Sequence, residues 1–113
     1  MKFTTISSAL VMTGALSLSP LANALDADAA QALAKKEGCF KCHAIDKKKE
    51  AKSMKEIAGK YKGKADAEAK MLVQITEGPK VKNAEGVEEE HKIINTKDKA
   101  EQKNLIEWIL SLK

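Results

Sequence analysis

Two cysteines and a histidine stand together in the stretch Cys39-Phe40-Lys41-Cys42-His43, which has the C-x-x-C-H spacing. Two thiols three residues apart can reach the two vinyl groups of one porphyrin and form thioethers, and the adjacent imidazole can then bind the iron. The chain has no other cysteine, and His91 is its only other histidine. The spacing therefore predicts one covalently attached haem c, with Cys39 and Cys42 as anchors and His43 as the proximal iron ligand.

Two other functions use a bare C-x-x-C pair. A thioredoxin-like redox pair needs a βαβ context, which the sequence does not show. A zinc site needs a second ligand pair at short spacing, and only His91 remains, far downstream. Haem attachment is therefore the favoured interpretation, and the N-terminal segment supports it independently.

The first 24 residues have the features of a secretory signal peptide. One lysine is followed by an apolar run over residues 9–18, a proline at position 20, and Ala22-Asn23-Ala24 as a cleavage site. The run is shorter than the about 20 residues of a membrane span, and the alternative is an uncleaved N-terminal anchor. We expect cleavage after Ala24, a mature domain of residues 25–113 without a membrane anchor, and a periplasmic location.

Composition predicts that this small domain depends on its cofactor. Only three aromatic residues remain after cleavage, so the porphyrin should supply much of the core. The mature chain has 19 lysines, no arginine and 16 acids, and two haem propionates would bring it close to neutral, which does not favour nucleic acid as a partner. Five lysines crowd after the motif, either as a solvated face or as a basic rim that steers acidic redox partners: Lys47, Lys48, Lys49, Lys52 and Lys55.

Periodicity predicts an all-α fold with four short helices. The predicted ranges are 27–36, 52–61, 66–76 and about 99–112, with Asp26 or Asp28, Ser53 and Asp98 as start signals. Residues 80–95 are polar and glutamate-rich, and we expect a loop there. No alternation typical of strands is present. The predicted apolar faces comprise Ala29, Ala32 and Leu33; Met54, Ile57 and Ala58; Ala69, Leu72, Val73 and Ile75; and Leu105, Trp108, Ile109 and Leu112.

With these elements in place, the chain resembles a small class I bacterial cytochrome c of the c551/c552 type. The resemblance covers the mature chain and rests on the haem motif, the order of the helices and the closing Glu107-Trp108-Ile109-Leu110 segment. It implies that the first and last helices cross around the haem, with Ala32 or Leu33 meeting Leu105 or Ile109. It also implies a monomeric electron carrier rather than an enzyme.

The sequence departs from the family pattern on both sides of the iron. Family members have a Gly-Pro after the motif whose carbonyl accepts a bond from the proximal histidine. Residues 51–54 here are Ala-Lys-Ser-Met, so we expect another carbonyl to orient His43. Family members also supply a distal methionine from the loop before the last helix, but residues 88–95 contain none. We predict His91 as the distal ligand, with Met54, Lys92 or an open or water-ligated site as alternatives.

These features predict a periplasmic cytochrome that transfers one electron between redox partners. Two imidazole ligands favour ferric iron, so the potential should be lower than in relatives with histidine and methionine ligands. The alternative function is a haem sensor that binds NO, CO or O₂ when a weak His91 detaches. A third interpretation, a helical partner-binding domain without haem, would require the motif to be accidental.

Overall fold

A computed structural model describes Gly14 and residues 24–113, so the predicted signal peptide lies almost entirely outside the described residues. The elements in order are α1 (Ala27–Lys36), a short 3₁₀ turn (Cys39–Lys41), α2 (Met54–Tyr61), α3 (Ala67–Glu77), β1 (Lys80–Lys82), β2 (Glu88–Glu90) and α4 (Lys99–Ser111). This arrangement confirms the all-α class with four helices. No helix in the described part is both long and apolar enough to cross a membrane.

Side chains that precede the helices account for where three of them begin. Asp26 caps α1 by accepting a hydrogen bond from the Ala29 N–H. Ser53 and Glu56 form a complete capping box at α2. Asp98 caps α4, but the Glu101 carboxylate bonds the Thr96 hydroxyl, so the predicted reciprocal box is only half formed.

Helix α4 lies at the centre of the core and packs against α1, α2 and α3. Leu33 of α1 and both Leu105 and Ile109 of α4 are buried in one cluster, as the resemblance implied. Ala32 is exposed, and so is Ala29, because α1 turns its Ala30–Leu33–Ala34 side inward instead. The predicted crossing partner on α1 is therefore Leu33 alone.

Helix α3 faces the core with a different side from the one that its sequence favoured. The buried residues are Ala67, Met71 and Ile75, spaced four apart. Ala69, Leu72 and Val73 are exposed, so three of the four residues of the predicted face were wrong. The apolar residues of α3 cover a wide arc, and packing against α4 selects one strip of that arc.

The segment expected to be a loop contains a small antiparallel hairpin. Lys80 pairs with Glu90, Val81 with Glu89 and Lys82 with Glu88. All three glutamates are exposed, so neither face buries an apolar row and the alternation that predicts a strand never arises. The hairpin is stabilised instead by opposite charges across the strands and by a turn in which Gly86 has a positive φ (+81°).

Candidate functional site

The two cysteines and His43 lie on one tight turn directly after α1. Gly38 adopts a left-handed conformation (φ +80°) that ends the helix and starts the 3₁₀ turn. The Cys42 and His43 N–H groups both donate to the Cys39 carbonyl, at 3.2 and 2.9 Å. The turn thus displays two free thiols and an imidazole from one short stretch of backbone, the arrangement that the motif predicted.

The environment of Cys39 is unlike that of a redox-active or metal-binding cysteine. Burial raises the pKa of the Cys39 thiol, and the Glu37 carboxylate raises it further. A raised pKa makes the thiolate of Cys39 less available, and the thiolate is the form that disulfide exchange and zinc binding use. No group of three or more metal-binding side chains occurs among the described residues. The surroundings of Cys39 are therefore less suited to thiolate chemistry than those of a typical redox-active cysteine.

A backbone carbonyl fixes the His43 imidazole, the predicted proximal ligand. Nδ1 of His43 lies 2.6 Å from the Lys52 carbonyl oxygen, so Nδ1 donates and Nε2 is left with its lone pair free. This bond sets the ring orientation and raises the basicity of the nitrogen that would bind a metal. The predicted substitute for the missing Gly-Pro carbonyl thus belongs to Lys52.

The return segment after the motif holds the Lys52 carbonyl in place. The Ala51 N–H donates to the Cys42 carbonyl at 3.1 Å, and the Met54 N–H donates to the Ala44 carbonyl at 2.8 Å. Lys52 lies between these two bonds, immediately before the Ser53 cap of α2. The orienting acceptor is therefore braced on both sides by backbone hydrogen bonds.

His91 faces His43 across the space beside the motif. The centroids of the two rings are 6.1 Å apart, and their planes differ by 35°. A transition metal lies about 2.0 Å from an imidazole nitrogen and each ring centre about 1 Å further away, so one ion held between two rings separates their centroids by roughly 6 Å. The separation in this structure thus fits two imidazoles that share one metal.

The surroundings of His91 favour its neutral form. Burial lowers the pKa of His91 below its ordinary value, and the neighbouring His43 lowers it further. Weak contacts with the backbone of Lys92 and Gln74 raise this pKa and oppose part of the decrease. Nδ1 is buried and has no partner at ordinary hydrogen-bond geometry. The ring is therefore available as a metal ligand, although no bond like that of His43 fixes its orientation.

Backbone contacts place His91 where it is. Its N–H donates to the Pro79 carbonyl at 3.0 Å, and the Ile94 N–H donates to the Ile75 carbonyl at 2.9 Å. Gly78 ends α3 in a left-handed conformation (φ +61°), and a Cβ at that position would stand 2.7 Å from the His91 carbonyl oxygen. Only glycine allows the two backbone segments to approach so closely. The end of α3 therefore fixes the path of the distal segment, by which we mean residues 91–96.

The alternative distal ligands have other surroundings. Met54 is 2% exposed and packs in the helical core, and Met71 belongs to the same cluster. Both occupy the packing role expected of flexible apolar side chains. The Lys92 ammonium lies against Gly38, 3.1 Å from where a Cβ would stand. The His91 ring, in contrast, lies 6.1 Å from the His43 ring between centroids.

The five lysines after the motif are all exposed. Two of them are engaged locally: Lys49 donates to the Phe40 carbonyl at 3.1 Å, and Lys55 pairs with Asp46 at 3.2 Å. Lys47, Lys48 and Lys52 form no ion pair within the described part of the chain. The lysine cluster therefore borders the motif and keeps at least three charges directed to solvent.

Two residues that position the site were not predicted from the sequence. Gly78 followed by Pro79 is a local signal for a helix end, but nothing in the sequence indicates that its missing side chain admits the His91 backbone. Glu37 was not singled out at all, although its buried carboxylate binds the segment after His91. Neither role has a local signal, since both depend on contacts between distant parts of the chain.

Comparison with known proteins identifies the family and the fold. The family model described as cytochrome c matches residues 27–113. Cytochrome c2 of Rhodocyclus tenuis is 36% identical over 83 residues, which are 73% of this chain and 90% of that protein. The crystal structure of class 1 cytochrome MtoD from Sideroxydans lithotrophicus ES-1 is 54% identical with a TM-score of 0.75, covering 79% of this chain and 98% of that one.

A second solved structure matches at lower identity. Wild-type cytochrome c552 of Nitrosomonas europaea is 31% identical with a TM-score of 0.59, covering 74% of this chain and 99% of that one. These matches span the four helices and the motif, so the resemblance in sequence extends to the fold. The chain belongs to the cytochrome c family, as a small class I cytochrome that carries one covalently bound haem c and functions in electron transfer.

Proposed function

We propose that the chain is a periplasmic single-electron carrier whose haem iron is bound by His43 and His91. Cys39 and Cys42 would anchor the haem, and the two imidazoles would hold its iron from opposite sides. The predicted signal peptide supports export, as does the need to attach haem outside the cytoplasm. In this role the protein passes electrons and does not catalyse a reaction on a substrate.

The observation that carries the proposal is the 6.1 Å separation of the His43 and His91 rings. When bound, the haem iron supplies a one-electron couple between ferric and ferrous states. Lys52 fixes the orientation of one ligand, and the contacts with Pro79 and Gly78 fix the backbone of the other. Ligands held in this way change position little when the iron changes charge, which suits rapid electron transfer.

The ligand pair also determines the direction in which the potential is tuned. A thioether ligand raises the haem potential, whereas a second imidazole is the stronger donor to ferric iron. The bond from His43 Nδ1 to the Lys52 carbonyl increases this donation on the proximal side. We therefore propose a lower potential than in relatives with a distal methionine.

Replacing the distal ligand tests this assignment. His91→Met should raise the reduction potential by on the order of 0.1 V, within the about 0.8 V span that axial ligands control. Redox titration of the purified holoprotein measures the shift. Met54→Leu is the matched control, because it keeps the core volume and should leave the potential unchanged. An unchanged potential in His91→Met, or a large shift in Met54→Leu, would contradict the assignment.

We further propose that the lysine cluster docks acidic surfaces of redox partners. It is defined by Lys47, Lys48, Lys49, Lys52 and Lys55, which follow the haem motif directly. Exposed like charges beside a redox centre steer oppositely charged partners and raise the association rate. The contact of Lys49 with the Phe40 carbonyl joins this surface to the motif itself, so a docked partner would lie close to the haem.

One observation favours a second candidate function, the binding of a small gas. His91 lacks the orienting bond that His43 has, so it is the ligand more easily displaced. Adding CO to the reduced holoprotein separates the two functions. An unchanged spectrum supports the electron carrier, and a rapid spectral shift supports the gas-binding protein.

A further inference from the structure

Glu37 is a buried carboxylate at the junction between α1 and the haem motif. It is 2% exposed, follows the last residue of α1 and precedes Cys39 by two positions. It forms no salt bridge with any residue of the described part. A buried charge without a counter-ion is costly unless strong hydrogen bonds compensate for it.

Both oxygens of this carboxylate accept hydrogen bonds from the segment that follows His91. Oε2 accepts from the Asn95 N–H at 2.7 Å and from Asn95 Nδ2 at 3.1 Å, and Oε1 accepts from the Thr96 N–H at 3.3 Å. These partners are 58 and 59 positions away in sequence. Hydrogen bonds to an ionised acceptor are roughly twice as strong as neutral ones. Glu37 therefore binds two consecutive backbone amides of a distant segment.

The segment from His91 to Thr96 is consequently held at both ends. The bond from His91 N–H to the Pro79 carbonyl fixes its start, and the buried Ile94 anchors its middle through the Ile75 carbonyl. Glu37 fixes its end and, unlike the other contacts, comes from the part of the chain that carries the cysteines. It is thus a link through hydrogen bonds between the start of the haem motif and the distal segment.

We propose that Glu37 is a positioning residue that keeps His91 opposite His43 by clamping residues 95 and 96 to the start of the haem motif. This inference rests on the proposed His91 ligation. Without the clamp, the distal segment keeps its anchor at the end of α3 but loses its link to the motif, and His91 leaves the iron more often. Glu37 affects ligation through the segment and does not touch the haem iron.

The test measures how easily an added ligand replaces His91. In Glu37→Gln holoprotein, an N–H₂ group replaces one acceptor and the charge is lost, so cyanide should bind ferric haem roughly tenfold faster or more than in wild type. Asn95→Ala, which removes only the side-chain donor, should give a smaller increase. Asp26→Ala removes a carboxylate cap at the far end of α1, and should lower the melting temperature without changing the cyanide rate.

Four results distinguish the outcomes. Faster cyanide binding in Glu37→Gln with no change in Asp26→Ala supports the clamp. A wild-type cyanide rate in Glu37→Gln, with only a lower melting temperature, overturns it. If His91→Ala has the wild-type ferric spectrum, the proposed ligation itself fails, and the clamp fails with it. If Glu37→Gln does not fold, hydrogen exchange in wild type decides, since the Asn95 and Thr96 amides should be protected and rapid exchange overturns the clamp.

Discussion

The two histidines that we propose as iron ligands, His43 on the proximal and His91 on the distal side, are held in different ways. His43 follows the cysteines on one turn, and its ring is oriented by a 2.6 Å bond to the Lys52 carbonyl. His91 comes from a separate segment, its backbone is fixed, and its Nδ1 has no partner at ordinary geometry. The contacts of His43 therefore fix its ring, whereas the contacts of His91 fix only its backbone. We therefore expect the distal ligand to be the more sensitive to substitutions in its surroundings.

Among the substitutions that test this difference, Gly78→Ala should have the largest effect on stability and on the position of His91. A Cβ would stand 2.7 Å from the His91 carbonyl oxygen, and alanine at φ +61° is strained, so we expect a loss of about 2–4 kcal/mol in the free energy of unfolding. His91 should be displaced as well, and high-spin ferric haem should appear in the visible spectrum. Chemical denaturation and absorption spectroscopy measure the two effects.

Gly86→Ala is the matched control. Gly86 also has a positive φ (+81°), but nothing lies within 4 Å of its Cβ position. We expect only the backbone strain, about 1–2 kcal/mol, with an unchanged haem spectrum. Equal spectral changes in the two variants would show that strain in this region, rather than the close approach to His91, disturbs the ligand.

Substitution of the Ser53 cap should disturb the proximal side by a smaller amount. Ser53→Ala removes the capping box beside the Lys52 carbonyl, at a cost of about 1 kcal/mol. A looser carbonyl weakens the bond from His43 Nδ1 and lowers the basicity of the imidazole, so the potential should rise slightly. Asp26→Ala removes a comparable cap far from this carbonyl and should leave the potential unchanged. Equal potentials in Ser53→Ala and wild type would show that the cap does not support the bond.

The distal segment should also lose its anchoring at acid pH more readily than the segment that carries His43. Hydrogen bonds, first of all from the Asn95 N–H, hold the pKa of Glu37 below its ordinary value of 4.5. A carboxyl group whose pKa is lower in the folded state contributes stability above the unfolded value, and this contribution is lost as pH falls through the folded value. Between pH 5 and 3, wild type should lose more stability than Glu37→Gln, by at most about 1.4 kcal/mol per pH unit.

A surface carboxylate provides the comparison for this acid sensitivity. Asp66 also has a lowered pKa, because it pairs with Lys70 at 2.8 Å, but it is exposed. Solvent screens such a pair, so Asp66→Asn should change the acid unfolding profile little. Acid titrations followed by circular dichroism measure all three proteins. An equal response of the two variants would contradict the special role of Glu37.

Charge reversal on the lysine cluster should leave both ligands unchanged and alter only encounters with partners. Lys47→Glu with Lys48→Glu should slow electron transfer to an acidic partner several-fold at low ionic strength, and the difference should shrink with added salt. Stopped-flow mixing measures the rate. Lys62→Glu with Lys64→Glu, two exposed lysines between α2 and α3, changes the net charge equally outside the lysine cluster and should have a weaker effect. Similar slowing in both proteins would indicate an effect of net charge rather than of this surface.

The parts of this molecule that could be predicted are the ones determined by neighbouring residues. The motif turn, the Asp26 and Ser53 caps and the Gly78 helix end each have their signals within a few positions. The hairpin could not be predicted, because its strands bury no apolar face. The buried strip of α3 depends on α4, and Glu37 binds partners 58 positions away. Both features depend on tertiary packing, and the periodicity of the sequence contains no information about it.

The distal side of the site shows the same division. The sequence placed His91 in the segment where relatives have a methionine, and chemistry favoured it as a ligand. The ring separation and the contacts of Gly78 and Glu37 appear only in three dimensions. His91 as a ligand thus remains a prediction from the sequence, whereas the contacts that hold its segment could be found only in the structure.

We propose that the iron is bound by His43 and His91 together. The near-infrared and visible spectrum of the ferric wild-type holoprotein tests it most directly, because charge-transfer bands depend on the axial ligands. We predict a low-spin spectrum of two histidine ligands without the weak band of methionine ligation. A methionine band, or a high-spin spectrum of an open site, would contradict the account.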